Sequence, residues 1–310
     1  MNSLPHPPTP ALHPRVKTER KCQRAFAPAN GSLIFETYEA GPSHGRGSLG
    51  VGFTLEAGVV AEVSRLKDGS DSQRGGEAGR SKILVAGEDW EFPTVREVVG
   101  RLACEPVVLR LMADLPFGCG FGMSGASALA SAYALGALFE DGRSLRELGL
   151  IAHEAEVAHA TGRGDVGGQF NGGFMVKTKV GAPLDVEWLP IPESPVWCRI
   201  FGPISTREVL RDAAVMARVN AAGRTALAHL RAHPAPSLDK LLALSRTFAE
   251  DSGLLTSSNV RAAIDEALAS GGQASMVMLG EAVVSSVPIT GATRHRVVRR
   301  PAHRLTPGSV

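Results

Sequence analysis

Between Leu115 and Leu129 the chain reads LPFGCGFGMSGASAL, with glycines at 118, 120, 122 and 125 set directly before an alanine-rich run. Upstream lies PVVLRLMADL from Pro106, the best strand candidate of the first half. Downstream, SGASALASAYALGALF is helical by propensity, because alanine and leucine dominate and β-branched residues are absent. A strand, a glycine loop and a helix start in immediate succession form an anion site. The first helical turn leaves its N–H groups unpaired and carries the positive end of the aligned peptide dipoles. Glycines in front of it let more N–H groups turn inward around a phosphate. Ser124 stands where its hydroxyl could cap the helix or reach a divalent ion held between phosphates. The spacing fits neither familiar phosphate motif. A Walker loop needs a Lys–Ser/Thr pair, and the stretch has no lysine; a dinucleotide fold needs GxGxxG, and GCGFGM fails at its sixth position. The same small residues would also suit a helix that only packs close to a sheet.

With 310 residues, 44% of them hydrophobic, the chain can bury a large core, and two domains are expected. Lysine and arginine number 33 against 31 acids, so no polyanion partner is implied. The aromatic residues form no series of the kind that stacks bases. No apolar run reaches the roughly 18 residues of a membrane span, which predicts a soluble chain. Cys22, Cys104, Cys119 and Cys198 match no zinc or redox spacing and read as reduced thiols of the cytoplasm, with Cys119 a small space-filler in the glycine loop. Residues 1–23 carry five prolines followed by Arg15, Lys17, Arg20 and Lys21, and read as a flexible Pro/basic extension without the apolar core of a secretory signal.

Further along, GVGFTLEAGVVAEVSRL from Gly50 predicts two strand segments around a Glu56–Gly58 turn, and 68–81 a polar surface loop before the strand KILVAG. A helix is expected from Thr94. Ser144 and Glu147 form a capping box for SLRELGLIAHEAEVAHAT, expected to end at Gly162. TGRGDVGGQFNGG then reads as a second glycine-rich loop around Asp165, followed by the strand FMVKTKV. Prolines 183, 190, 192 and 195 mark a linker. Beyond it a strand, three helical stretches between Thr206 and Ala269, and the strands ASMVMLG and EAVVSSV complete an α+β pattern in which helices cover one face of an antiparallel sheet. His153 and His159, six apart on one helix, have no metal spacing.

The run PFGCGFGMSGA from Pro116 to Ala126 resembles the second motif of the GHMP kinases, usually written PxxxGLGSSAA, and within that family it is most similar to the archaeal pantoate kinase branch. The likeness extends to RAFAPAN at 24–30, GRGSLGVGFTLEAGV at 45–59, AHEAEVAHATGRGDVGGQFNGG at 152–173 and ASMVMLGEAVV at 274–284. It implies a two-domain α+β fold: an ATP-binding half over 24–190 like domain 2 of ribosomal protein S5, and a ferredoxin-like half over 191–310, with the site between them. It implies an archaeal, cytoplasmic, homodimeric enzyme that uses ATP and Mg²⁺ to phosphorylate pantoate to 4-phosphopantoate on a route to coenzyme A.

By the family's pattern, the backbone of Gly118, Cys119, Gly120, Phe121, Gly122, Met123, Ser124 and Gly125 wraps the ATP phosphates, Ser124 meets Mg²⁺, and Asp165 faces the acceptor hydroxyl. Glu154 is expected to complete the magnesium site. Glu156 is the alternative, since positions two apart on a helix point about 200° apart and cannot both face one ion easily. The pantoate carboxylate needs a cation or a nest of donors; the candidates are Arg24, His44, Arg46 and Arg163, with Asn30, Ser43 and Ser48 as neutral donors. APANGSLIFE lacks the lysine of the family's usual GKxxLxGEH segment, which argues against mevalonate or galactose as substrate. The third family motif survives only as SGGQASMVMLG, where Gly271, Gly272 and Gln273 either approach the phosphates or end a helix. Two other readings stand: a GHMP kinase of another small hydroxy acid or amino alcohol such as homoserine, and a nucleotide-binding regulator without activity.

Overall fold

The computed structural model describes residues 22–39, 46–66 and 80–306. The expected extension over 1–23 and the loop over 68–81 lie almost wholly outside the described residues, as do Ser43 and His44. In chain order the first half comprises β1 (Gln23–Glu39), β2 (Arg46–Arg65), β3 (Lys82–Val85), β4 (Glu88–Asp89), α1 (Pro93–Leu102), β5 (Val107–Ala113), α2 (Met123–Leu138), α3 (Leu145–Ala158), α4 (Asp165–Asn171), β6 (Phe174–Lys177) and β7 (Glu187–Trp188). The second half comprises β8 (Pro195–Pro203), α5 (Thr206–Arg211), α6 (Ala213–Ala232), α7 (Leu238–Asp251), α8 (Ser258–Ala269), β9 (Ala274–Met276), β10 (Gly280–Ser285), β11 (Thr293–Arg296) and β12 (His303–Leu305). The α+β class expected from the sequence is what the chain adopts.

The larger sheet runs β12-β1-β2-β5-β3-β4, with β6 on the other half of β2 and β7 beyond it; among these pairs only β3 and β5 are parallel. Here β2 is one long strand, where the sequence suggested two segments and a turn. Gly58 permits this: a Cβ there would lie 2.2 Å from the Ala27 carbonyl oxygen, so β1 and β2 stay in contact through a register shift between Pro28 and Asn30. Helix α2 is the centre of this half. Every residue of α2 except Ser124 is buried, which a helix apolar all round requires. Its small side chains make that burial possible, and a Cβ at Gly136 would meet Leu148 Cδ1 at 2.7 Å.

The capping box of α3 forms as the sequence indicates, with Ser144 N donating to Glu147 Oε2 at 2.8 Å. The helix stops at Ala158, short of Gly162, because Ala160 turns into the left-handed region at φ 54°. The second glycine-rich stretch is not all loop: Asp165 opens the short helix α4. Gly167 and Gly168 let α4 press against neighbours, since Cβ atoms there would sit 2.2 Å from Pro183 O and 2.1 Å from Asn30 Oδ1.

The smaller sheet, β11-β8-β10-β9, is antiparallel throughout. It is joined to the first along β1: Met278 N donates to Ser32 O at 3.0 Å, Ser245 Oγ to Leu33 O at 2.8 Å, and Thr37 N to Asn220 Oδ1 at 2.9 Å. The tract after β11 crosses back to the first sheet. Val298 O accepts from Thr54 Oγ and Gly173 N, Ala302 N donates to Gln169 O at 2.9 Å, and β12 then pairs with β1. Gly271, at φ 78°, ends α8, with Gly271 N donating to Leu268 O and Gly272 N to Ala267 O. Of the two roles left open for that segment, the structure shows the helix terminator.

The turn between β9 and β10 lies hard against the glycine stretch, where a Cβ at Gly280 would fall 2.1 Å from the Cys119 carbonyl carbon. Gly280→Ala is therefore expected to cost about 1–3 kcal/mol. Gly100→Ala, in α1 with nothing within 4 Å of the added carbon, should instead stabilise by roughly 0.5–1 kcal/mol. Thermal unfolding of the two variants beside the parent chain measures both signs.

Candidate active site

Between the two halves lies a cavity of about 370 Å³. One wall is the glycine stretch. Gly118, Gly120 and Gly122 sit at φ 76°, 87° and 58°, values that residues with side chains rarely adopt. Three carbonyls of the stretch are held by neighbouring segments: Ile204 N donates to Gly118 O at 3.0 Å, Asn30 N to Phe121 O at 3.0 Å, and Gln169 Nε2 to Gly122 O at 2.7 Å. Gly122 is the N-cap of α2, and no side chain caps the helix, so its first turn faces the cavity through Met123 and Ser124. The Ser124 hydroxyl is buried without a hydrogen-bond partner among the described residues. Cys119 and Phe121 are themselves buried, and neither they nor Gly125 line the cavity. Only the backbone of those three residues can take part in the anion site. Burial pushes the Cys119 thiol up, consistent with a space-filler.

Opposite this wall three ionisable side chains converge, Glu156 and Lys177 buried and Asp165 half-buried. Asp165, the first residue of α4, accepts from Asn30 Nδ2 at 2.8 Å. Glu156 reaches in from α3 and Lys177 from β6. Gly162 is bare because it must be: a Cβ there would lie 2.4 Å from Glu156 Oε1 and 2.7 Å from Asp165 Oδ2. Gly125 sits as close to Glu156, at 2.7 Å. Burial raises the Glu156 carboxyl well above the usual carboxylate range, and the Asp165 charge raises it further. Burial also raises Asp165, but the Asn30 hydrogen bond and the Lys177 charge pull it back toward the ionised form. Lys177 is lowered to about 8 by burial, against the pull of both carboxylates. The polar neighbours of Glu156 are Asp165 and the Val166 backbone, and among the described residues neither of its oxygens makes a hydrogen bond of ordinary geometry. An unpartnered hydroxyl and an under-compensated carboxylate near an open helix N-terminus fit a divalent cation held with phosphate. Among the described residues no group of three or more His, Cys, Asp or Glu could hold a metal ion without such help.

The two ends of the cavity differ in chemistry. At one, Trp90, Phe92 and Phe117 form an aromatic cluster, with ring centroids 5.0 Å apart for Trp90–Phe117 and 5.6 Å for Phe92–Phe117. At the other, Ile34, Val51 and Met175 make an apolar wall beside Ser48, Arg163 and Lys177.

The family model for the GHMP kinases N terminal domain matches residues 93–173, which hold α1, the glycine stretch, Glu156 and Asp165. The pantoate kinase of Thermococcus kodakarensis is 32% identical over 277 residues, an alignment spanning 85% of this chain and 87% of that one. The chain belongs to the pantoate kinase family of GHMP kinases. The pantoate kinase of Methanocaldococcus jannaschii is 28% identical over 235 residues, spanning 74% of this chain and 80% of its own length. Among solved structures, a phosphotransferase related to the CoA biosynthesis pathway superposes with a TM-score of 0.79 at 26% identity, covering 93% of this chain and 100% of that one.

Within this member of the pantoate kinase family the structure sorts the residues singled out from sequence. Ser124, Asp165, Asn30, Ser48 and Arg163 line one cavity with Gly118, Gly120, Gly122 and Met123. Glu154 does not reach it: its carboxylate bonds Arg101 NH1 at 2.6 Å. Glu156 is buried against Gly162 of the cavity wall, on the face of α3 that also buries Ala152 and Ala155. Arg24 lies on the outside of the larger sheet, 3.8 Å from Glu62, and the exposed Arg46 lies opposite Glu39 at the start of β2; neither lines the cavity. Arg163 is engaged by Glu39 at 3.0 Å, and its carbonyl accepts from Ser48 Oγ. The sequence reading missed Lys177, Gln169, Arg207 and the aromatic cluster. The one signal for Lys177 is a charge inside the otherwise apolar strand FMVK, all four residues of which are buried.

Because the folded chain holds the Glu156 proton more tightly than the unfolded chain, stability falls as pH rises from the ordinary carboxyl value toward the elevated one. Glu156→Gln should remove that slope and raise the melting midpoint of the ligand-free protein at pH 8 by a few degrees, about 1 kcal/mol. Glu154→Gln, which loses only a partly exposed ion pair, should cost less than about 1 kcal/mol and leave the slope in place. Thermal melts from pH 5 to pH 9 distinguish the two acids.

Proposed function

We propose that this chain transfers the γ-phosphoryl group of ATP to the 4-hydroxyl of pantoate, giving 4-phosphopantoate and ADP, a step toward coenzyme A. The observation that carries this reading is the convergence of Asp165 and Lys177 on the cavity, with Glu156 buried against Gly162 and Gly125 beside them, where the N-terminus of α2 opens through Met123 and Ser124. The family supports it, as do relatives named as pantoate kinases.

In this reading the aromatic cluster receives the adenine, and the left-handed glycines and first turn of α2 receive the phosphates through backbone N–H groups. Ser124 and Glu156 would hold Mg²⁺, which would supply positive charge against the phosphates. Asp165, held in place by Asn30, orients the acceptor hydroxyl. The hydroxyl oxygen forms the new bond to the γ-phosphorus as the bond from that phosphorus to the β–γ bridging oxygen breaks; ADP leaves and the hydroxyl proton passes to Asp165. The apolar wall of Ile34, Val51 and Met175 suits the two methyl groups of pantoate. Lys177 supplies the cation its carboxylate requires, with Ser48 and Arg163 beside it. Most of the rate comes from alignment and charge neutralisation in a cleft shielded from water.

The test is ADP release from Mg-ATP across pantoate, homoserine, mevalonate and glycerate. Pantoate should stand out, and an equal response to all four would overturn the reading. Asp165→Asn should lower kcat by about 10²–10⁴-fold with ADP affinity nearly unchanged. Lys177→Met should act chiefly on the KM for pantoate, raising it by about tenfold or more.

A further inference from the structure

A triphosphate brings several negative charges into the cavity, and the glycine stretch that faces it contributes no cation between Leu115 and Gly125. Among the described residues three cationic side chains line the cavity: Arg163, Lys177 and Arg207. Arg163 is paired with Glu39, and Lys177 stands between Glu156 and Asp165. Arg207 makes no ion pair among the described residues; its NH2 donates to the His159 carbonyl at 3.1 Å.

Its place in the chain is as telling as its charge. Ile204, just before α5, is bonded to Gly118 of the glycine stretch. Ser205 caps α5 by accepting from Glu208 N, and Arg207 follows in the first turn. Its guanidinium therefore spans from the glycine stretch to the turn after α3. That turn is pinned to α1, with His159 Nε2 and Glu97 Oε2 2.7 Å apart and Thr161 Oγ1 3.1 Å from Thr94 Oγ1. Phe92 of the aromatic cluster immediately precedes α1, the helix to which this turn is pinned. No residue of α5 is fully buried, and Val209 alone of its residues packs against the core. A carbonyl is a weak partner for a guanidinium beside an anion site, and phosphate oxygens would displace it with two parallel charge-assisted bonds.

We propose that Arg207 is a catalytic residue that grips the γ-phosphate from the second half of the molecule, exchanging the His159 carbonyl for phosphate oxygens once ATP is bound. The inference rests on the nucleotide reading of the cavity. Arg207 then supplies the positive charge that the glycine stretch lacks, at the group where charge shifts during transfer.

The experiment compares the parent chain with Arg207→Ala, Arg207→Lys and, as a control on the same helix, Glu208→Ala. Calorimetric titration with Mg-ADP and with a non-hydrolysable Mg-ATP analogue is run beside turnover on pantoate. Arg207→Ala should weaken the ATP analogue by about 10-fold or more while leaving ADP within about twofold, and lower kcat by about 10²–10³-fold. Arg207→Lys should recover part of each loss, since it keeps the charge without the planar fork. Glu208→Ala should match the parent. Equal weakening of ADP and the analogue, a rise confined to the KM for pantoate, or no change in either affinity would each overturn the proposal. If the parent binds the nucleotides but phosphorylates no acceptor, the pantoate reading fails, while the ADP-to-analogue ratio still decides Arg207. If the parent binds neither nucleotide, both fall.

Discussion

Backbone meets backbone around Cys119, Gly120 and Gly280 at distances that leave no room for a Cβ, and the open first turn of α2 depends on that contact. The turn after β9 presses on the glycine stretch from behind, while Asn30, Gln169 and Ile204 hold its carbonyls. With those carbonyls held by neighbouring segments, the N–H groups at the helix start are left facing the cavity. An anion site of this kind needs no cationic side chain of its own, because unpaired donors and aligned peptide dipoles supply the field. The same packing fixes the spacing between the two halves at the point where the cavity opens.

The second constraint is electrostatic. Three ionisable groups share a space from which water is largely excluded, and each charged form is disfavoured there unless another compensates it. Asp165 is the best compensated, through Asn30 and Lys177, and so is the carboxylate suited to receive a proton late in a transfer. Glu156 is the worst, and a cation at that point would satisfy it. The ligand-free cavity is thus a strained arrangement whose cost is offset on binding, a common property of sites that act on charged groups. The chain that returns after β11 supports this strain from outside, bonding Gln169 O and Gly173 N at the two ends of the segment that carries Asp165 to β6.

Much of this was legible in the residues. The glycine stretch, the capping box of α3, the α+β class and the roles open to Ser124 and Asp165 could all be read from local pattern, because each depends on residues close in sequence. Glu154 against Glu156 could not. Both lie on one helix, and the face turned inward is set by what α3 packs against, with Ala152 and Ala155 buried beside Glu156 and Arg101 waiting for Glu154. Arg24 and Arg46 looked like carboxylate binders because they are cations near a family motif; strand register instead puts Arg24 across from Glu62 and Arg46 across from Glu39.

The sequence by itself determined where the backbone could bend, where helices begin, and which stretch could bind an anion, since glycines, caps and propensities act over a few residues. Only the tertiary structure decided which charges meet. Lys177 and Asn30 come to Asp165, Glu156 to Gly125 and Gly162, and Arg207 to the cavity beside the glycine stretch, Asn30 from 135 residues away. The physical reason is that burial and charge compensation belong to a three-dimensional neighbourhood, and a one-dimensional pattern records only which residues are available to fill it.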